Sequence, residues 1–143
     1  MKKPFILFAL SLLPILFGLG CGGPAEYAIV GTSRAAGTDG LMVVEEIEGG
    51  NHLVTLTLEH LPPPNRLGDN LTAYVLWIKP QGGTPQKASV LAYDDDERSA
   101  SGRATTPGGQ FEVLVTAERS GNVNSPSELI VARQRHGGSG GDD

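Results

Sequence analysis

The sequence predicts an all-β domain, an immunoglobulin-like antiparallel β-sandwich of about seven or eight strands. Short segments in which apolar and polar residues alternate with period two predict the strands, and glycine or proline clusters about every 8 to 15 residues predict the turns between them. No long stretch places apolar residues at helical spacing. The 143 residues suffice for one domain with appendages. A closed barrel stays open as the alternative, because strand spacing alone does not distinguish the two.

The first three predicted strands lie at residues 27–34, 41–47 and 52–58. The turn AAGTDG separates the first two, and its Gly40 can adopt a positive φ. In the third strand Val54, Leu56 and Leu58 share one face, and two threonines occupy the other. That apolar face is expected to form a wall of the sandwich core.

A proline run then ends the pairing, since Pro62, Pro63 and Pro64 have no N–H to donate to a ladder. A loop is expected from there to Asp69. The following segment, residues 71–78 (LTAYVLWI), is apolar on both alternating faces and is therefore predicted to be a central strand. Its expected core anchors are Tyr74 and Trp77.

The second half contains predicted strands at residues 88–93, 110–117 and 128–133, and a polar segment around residues 98–103. In the segment at 110–117, Phe111 is the expected core anchor and shares its face with two valines and Ala117. Glu112, Thr116 and Glu118 lie on the opposite, polar face. The predicted domain spans residues 26–135, and residues 136–143 (HGGSGGDD) are expected to form a flexible tail.

The N-terminus has the pattern of a secretory signal peptide. Lys2 and Lys3 precede an apolar run at residues 5–17 that contains Pro14. The 16 residues from 5 to 20 are fewer than the roughly 20 that a membrane-spanning helix needs. Cleavage is therefore expected rather than a retained span.

The stretch GLGC at residues 18–21 resembles the lipobox of bacterial lipoprotein precursors, with Leu19 one place later than the usual leucine. The resemblance implies that residues 1–20 are removed, that Cys21 receives a lipid, and that residues 21–25 form a tether. It also implies the outer membrane rather than the inner one, because Gly22 stands where an aspartate would favour retention. An ordinary signal peptide with an incidental cysteine is the alternative. A single cysteine has no internal disulfide partner.

Charge excludes some partners. The chain has a formal charge of -5, and removal of Lys2 and Lys3 leaves -7. An acidic chain without a basic patch is not expected to bind nucleic acid, or anionic lipid by electrostatics. The membrane would be contacted only through the lipid on Cys21.

The mature chain resembles the extracytoplasmic C-terminal domain of anti-sigma-K factors. The likeness lies in LPPP (61–64), YVLWI (74–78), FEVLVTAE (111–118) and PSE (126–128), which occur in the family's order. It covers roughly residues 50 to 132 and implies a fold and a place outside the cytoplasm. Anti-sigma activity is not implied, because the cytoplasmic domain and transmembrane helix of those regulators have no counterpart here.

Chemical motifs are few. The run Asp94, Asp95, Asp96 and Glu97 lacks the alternating spacing of a calcium loop, so a solvated hairpin is expected. The three histidines have no metal-ligand spacing, and no serine lies in a nucleophile motif. No catalytic residue, metal or cofactor is therefore predicted.

These observations favour a non-catalytic, lipid-anchored module that binds an envelope protein or senses a signal in the cell envelope. Loops carry function on such scaffolds. The expected surface therefore consists of the proline loop at residues 62–70, which includes Pro62, Pro63 and Pro64, and the acidic hairpin, Asp94 to Glu97. A small envelope hydrolase and a calcium-stabilised structural module that uses the acidic hairpin are the alternatives.

Overall fold

The computed structural model describes residues 23–138. The predicted signal peptide, Cys21 and the last five residues lie outside this range. Within it the chain forms nine strands: β1 Ala25–Val30, β2 Asp39–Ile47, β3 Asn51–Glu59, β4 Ala73–Pro80, β5 Gln86–Val90, β6 Ala92–Asp94, β7 Ser99–Pro107, β8 Phe111–Glu118 and β9 Ile130–His136. Three short 3-10 helices, Ser33–Ala35, Glu48–Gly50 and Pro64–Arg66, lie in connections.

The strands form two antiparallel sheets that pack face to face, which confirms the predicted β-sandwich. The five-stranded sheet has the order β1-β2-β3-β7-β6, and the four-stranded sheet has the order β5-β4-β8-β9. The pairing of β2-β3-β7-β6 in one sheet with β4-β8-β9 in the other is the strand order of immunoglobulin-like sandwiches. Because the strands divide into two sheets, the barrel alternative does not apply.

The core between the sheets follows from the period-two pattern of the strands. Val54, Leu56 and Leu58 of β3 are fully buried there, as the alternation predicts. From the other sheet β4 contributes Tyr74, and β8 contributes Phe111.

Trp77 is fully buried, but on the outer face of the four-stranded sheet. It packs there with Val75 and Leu114, and with the half-buried Val123 of the β8–β9 loop. Neighbouring residues of a strand point to opposite faces, so the apolar runs of β4 and β8 supply two separate clusters.

The segment predicted as one strand at 88–93 is two strands in different sheets. The N–H of Leu91 donates to the carbonyl of Tyr74 (2.9 Å), and the Leu91 side chain is buried. At this residue the chain passes from the edge of the four-stranded sheet to the edge of the five-stranded sheet. The period-two sequence pattern therefore continues, while the strand that pairs with the segment changes. In the polar segment at 98–103, residues 99–103 belong to β7, a nine-residue strand next to β3.

Two further boundaries differ from the prediction. The strand expected at 27–34 ends at Val30, because Thr32 turns the chain: its hydroxyl accepts a hydrogen bond from the N–H of Arg34 and donates to the carbonyl of Ile130 (2.6 Å). His136, expected in the tail, is the last residue of β9 and stacks on Phe111 with ring centroids 4.9 Å apart.

The sandwich has two distinct ends. At the tether end β1 begins, close to where β9 finishes, and the β2–β3, β4–β5 and β7–β8 turns lie there. At the loop end lie the β1–β2, β3–β4, β6–β7 and β8–β9 connections. Strands of eight or nine residues at about 3.3 Å per residue separate the two ends by roughly 25–30 Å.

Candidate functional site at the loop end

The proline loop and the acidic hairpin, both predicted from sequence as binding loops, lie side by side at the loop end. The N–H of Leu61 donates to the carbonyl of Arg98 at 2.8 Å, which joins the start of the loop to the end of the hairpin. The hydroxyl of Tyr93 donates to the carbonyl of Leu61 (3.0 Å), and that of Tyr74 donates to the carbonyl of Pro62 (2.5 Å). Two tyrosines therefore hold the loop in place.

These tyrosines remain neutral hydrogen-bond donors. Burial raises the pKa of Tyr74 strongly, and the neighbouring Tyr93 raises it further. The pKa of Tyr93 is also raised, mainly by burial. Within the proline run, Pro64 is buried and Pro62 and Pro63 are half-buried, so the run serves packing as well as surface.

The acidic hairpin divides into one structural carboxylate and three free ones. Asp94 Oδ1 accepts the N–H groups of Asp96 (3.0 Å) and Glu97 (2.9 Å), a local turn that uses this side chain within the hairpin. All four acidic residues are exposed. Among the described residues, the carboxylates of Asp95, Asp96 and Glu97 have no hydrogen-bonding or ionic partner, so they are available to a ligand.

A second group of polar side chains lies beside the hairpin. Asp39 begins β2 directly opposite Glu59 at the end of β3, and His60 follows Glu59 in a left-handed conformation (φ 55°). His60 Nδ1 lies 2.5 Å from Asp39 Oδ1, and one ligand atom from each of the three residues lies within 4.8 Å of the others. The hydrogen bond to Asp39 raises the pKa of His60, which favours an ion pair between them.

This group has the donor atoms to hold a divalent cation, since an imidazole nitrogen and two carboxylates suit zinc-like ions. All three side chains are exposed, so water would complete the coordination. Sequence reasoning missed the group because it compared histidines only with each other, whereas these residues come together through the β2–β3 register. The facing ends of two predicted hairpin strands were the available signal.

The outer face of the four-stranded sheet carries a buried polar network at the same end. Trp77 Nε1 donates to the hydroxyl of Thr116 (2.8 Å), which donates to Glu118 Oε1 (2.5 Å). The N–H of Ser127 donates to the same oxygen at 2.8 Å. Thr116 and Glu118, predicted on a polar face, are both buried, because the β8–β9 loop folds back over that face.

A cleft of about 430 Å³ opens between this loop and the β3–β4 loop. Its walls are mainly apolar and include Leu71, Val123 and Leu129. Glu118 also lines it, together with Asp69 and Arg119. The cleft therefore combines an apolar surface with a buried carboxylate.

The tether end carries a different cluster, of aromatic and histidine rings. The ring centroids of His136 and His52 lie 5.0 Å apart. The His136 ring also lies edge-on to the ring of Tyr27, whose hydroxyl is 2.9 Å from His136 Nδ1. Burial lowers the pKa of His136, and the proximity of His52 lowers it further. A cleft of about 400 Å³ lies alongside, lined by Phe111, His136 and the cross-strand neighbours Glu112 and Arg135. His52 is half-buried, and its Nδ1 is enclosed without a hydrogen-bond partner among the described residues.

Comparisons add no relative to these observations. No family model, curated protein or solved structure matches this chain. No helix among the described residues has the length and apolar content that a membrane span requires.

Proposed function

We propose that this protein is a non-catalytic binding module of the cell envelope, anchored by a lipid on Cys21, and that its loop end binds a cationic partner. The lipobox resemblance at residues 18–21 supports the anchor, and Gly22 favours the outer membrane. The likeness to the extracytoplasmic domain of anti-sigma-K factors supports a place outside the cytoplasm. The same likeness is compatible with a binding or sensing surface.

The arrangement of the two ends is the observation that carries the proposal. β1 begins at Ala25, only four residues after the expected lipid attachment site, so an anchor there would hold the tether end towards the membrane. The acidic hairpin and the proline loop lie at the opposite end, roughly 25–30 Å away. A module mounted in this way presents its loop end to the surrounding compartment.

Charge indicates the kind of partner. The loop end holds nine of the fourteen carboxylates of the described chain but only four of its nine lysines and arginines, whereas the remainder is balanced. Opposite charge speeds association and selects partners, so the ligand is expected to carry positive charge. The loop-end groups are Asp39, Glu59, Asp69, Asp94, Asp95, Asp96, Glu97, Glu118 and Glu128, with Arg34, Arg66, Arg98 and Arg119.

A binding titration with a basic peptide tests the proposal. The probe is a peptide of about ten residues that alternates lysine and serine, and the variant combines Asp95→Asn, Asp96→Asn and Glu97→Gln. Asp94 is kept because it closes the hairpin turn. Three rim charges at about 0.5 kcal/mol each correspond to roughly a tenfold loss of affinity.

The matched control neutralises three exposed carboxylates at the tether end, by Glu45→Gln, Glu46→Gln and Glu48→Gln. It removes the same formal charge, so a general electrostatic effect would weaken binding equally in both variants. We expect the control to bind within about twofold of wild type. Equal losses in the two variants would refute a binding site at the loop end.

A further inference from the structure

Glu118, at the end of β8, is a buried carboxylate without a cation. Its exposed fraction is 5%, and no lysine, arginine or histidine nitrogen among the described residues lies within 4.0 Å of it. Glutamate is rarely buried to this extent unless it is paired, because the charge loses its hydration. The unpaired charge is therefore a feature that a ligand could complement.

Only one oxygen of this carboxylate is used within the protein. The hydrogen bonds from the Thr116 hydroxyl and the Ser127 N–H both go to Oε1. Oε2 accepts no hydrogen bond from the described residues. It is nevertheless not among their fully enclosed side-chain atoms without a partner, which are His52 Nδ1 and Ser89 Oγ. Oε2 is therefore not fully enclosed, and Glu118 lines the cleft at the loop end.

The cleft around Glu118 has the character of a site for an amphipathic cation. Leu71, Val123 and Leu129 provide apolar walls within a volume of about 430 Å³, large enough for a short alkyl chain. A primary ammonium has three donors and pairs with a carboxylate by charge-assisted hydrogen bonds. An apolar stem would remove the walls from water, as the methylenes of a lysine side chain do.

We propose that this cleft binds a primary ammonium carried on an apolar stem, with Glu118 Oε2 as its acceptor. A free alkylamine and the lysine side chain of a partner share this chemistry. The proposal rests on the assignment of the loop end as the binding end and names the ligand class for it. The anchoring of the β8–β9 loop by Oε1 is compatible with it, because the two roles use different oxygens.

Amide chemical shifts of the purified full chain, titrated with pentylammonium and with neutral 1-pentanol, test the proposal. We expect saturable shifts at Leu71, Val123 and Leu129, and an affinity for pentylammonium at least about tenfold higher than for pentanol. Nα-acetyl-lysine amide in a third titration distinguishes the sources: affinity like that of pentylammonium supports a lysine of a partner, and weaker affinity supports a free amine. Equal affinities for pentylammonium and pentanol would overturn the proposal.

Glu118→Gln supplies the matched variant. Glutamine keeps the size and an oxygen acceptor for Thr116 and Ser127 but removes the charge, so the expected loss for pentylammonium is about tenfold with little change for pentanol. An unchanged affinity for pentylammonium would contradict the proposal. If Glu118→Gln does not fold, the comparison of amine with alcohol on the wild type decides the question.

The outcome is separable from that of the proposed function. If pentylammonium does not bind selectively but the lysine–serine peptide still binds through the acidic hairpin, only the cleft proposal fails. If neither probe binds, the assignment of the loop end as the binding end fails as well.

Discussion

Thr116 is the residue that joins the two buried features of the outer face. Its hydroxyl accepts from Trp77 Nε1 and donates to Glu118 Oε1, so one side chain satisfies an indole and part of a carboxylate. Buried polar groups that lose a partner keep their full desolvation cost. At this scale, the network explains why a threonine and a glutamate are stable on an otherwise apolar surface.

Thr116→Val is therefore expected to be strongly destabilising. The valine has the same shape but leaves Trp77 Nε1 without an acceptor and removes one of the two hydrogen bonds to Glu118 Oε1. The free energy of unfolding should therefore fall by about 2–4 kcal/mol. Urea denaturation followed by Trp77 fluorescence measures it. Thr57→Val, on the exposed outer face of β3, is the control and should change stability by less than about 0.5 kcal/mol. A loss at Thr116 no larger than the control would show that the network contributes little.

His136 gives the fold a pH dependence at the tether end. The groups around its ring are Tyr27, His52 and Phe111, and the folded state favours the neutral imidazole because its pKa is lowered from 6.5. As the pH falls below the pKa of His136 in the unfolded state, towards its lower pKa in the folded state, the imidazole is protonated first in the unfolded state. The contribution of the neutral His136 to the free energy of unfolding is then lost, whereas above pH 6.5 this contribution is intact.

His136→Phe isolates this contribution, since phenylalanine keeps the stacking on Phe111 but does not titrate. We expect the difference in unfolding free energy, wild type minus variant, to decrease between about pH 7.5 and about pH 5.5. Urea denaturation at both pH values measures the difference. A difference that is constant or grows on acidification would contradict the lowered pKa.

At the scale of elements, strand positions follow from the sequence, but strand partners do not. Period-two alternation predicts the core face of β3 and of β8, because side-chain direction is a local property. The division of residues 88–93 at Leu91 depends on where each half finds a partner, which is a tertiary property. The burial of Thr116 and Glu118 depends in the same way on a loop that folds back over a face with a polar pattern.

Gly102 of β7 makes room for this change of sheet. A Cβ atom there would lie 2.5 Å from Leu91 Cδ2 and 3.2 Å from Ser89 Oγ. Gly102→Ala is expected to cost about 1–3 kcal/mol through overpacking, measured by chemical denaturation. In combination with Leu91→Ala the two losses should be less than additive, by at least about 0.5 kcal/mol, because the shorter side chain relieves the clash. Additive losses would mean that the two residues do not compete for space.

At the scale of the molecule, the sandwich class is predictable from short alternating segments, and the loop end is not. Sequence singled out the proline loop and the acidic hairpin separately, and the fold joins them through Leu61 and Arg98. The group formed by Asp39, Glu59 and His60 depends on the β2–β3 register. Sequence position does not determine which of these loops and side chains lie close together, because their proximity arises from pairing between distant strands.

Anchoring is tested at the same scale by Cys21→Ala. Without the thiol no lipid can be attached, so we expect an unprocessed or soluble form in place of a membrane-bound one. Fractionation of bacterial cells followed by gel mobility measures this, with the wild type as reference. A variant that fractionates and migrates like wild type would refute lipidation at Cys21.

The central claim is that the loop end, opposite the tether, meets the cationic partner. Site-specific photo-crosslinking in intact cells tests it most directly, with the photoreactive residue at Asp95 in one variant and at Glu46 in the other. Asp95 lies in the acidic hairpin, and Glu46 lies at the tether end; both residues are exposed. The predicted result is a discrete crosslinked species with a lysine-rich contact segment from Asp95 and none from Glu46. The same species from both positions, or from Glu46 alone, would contradict the claim.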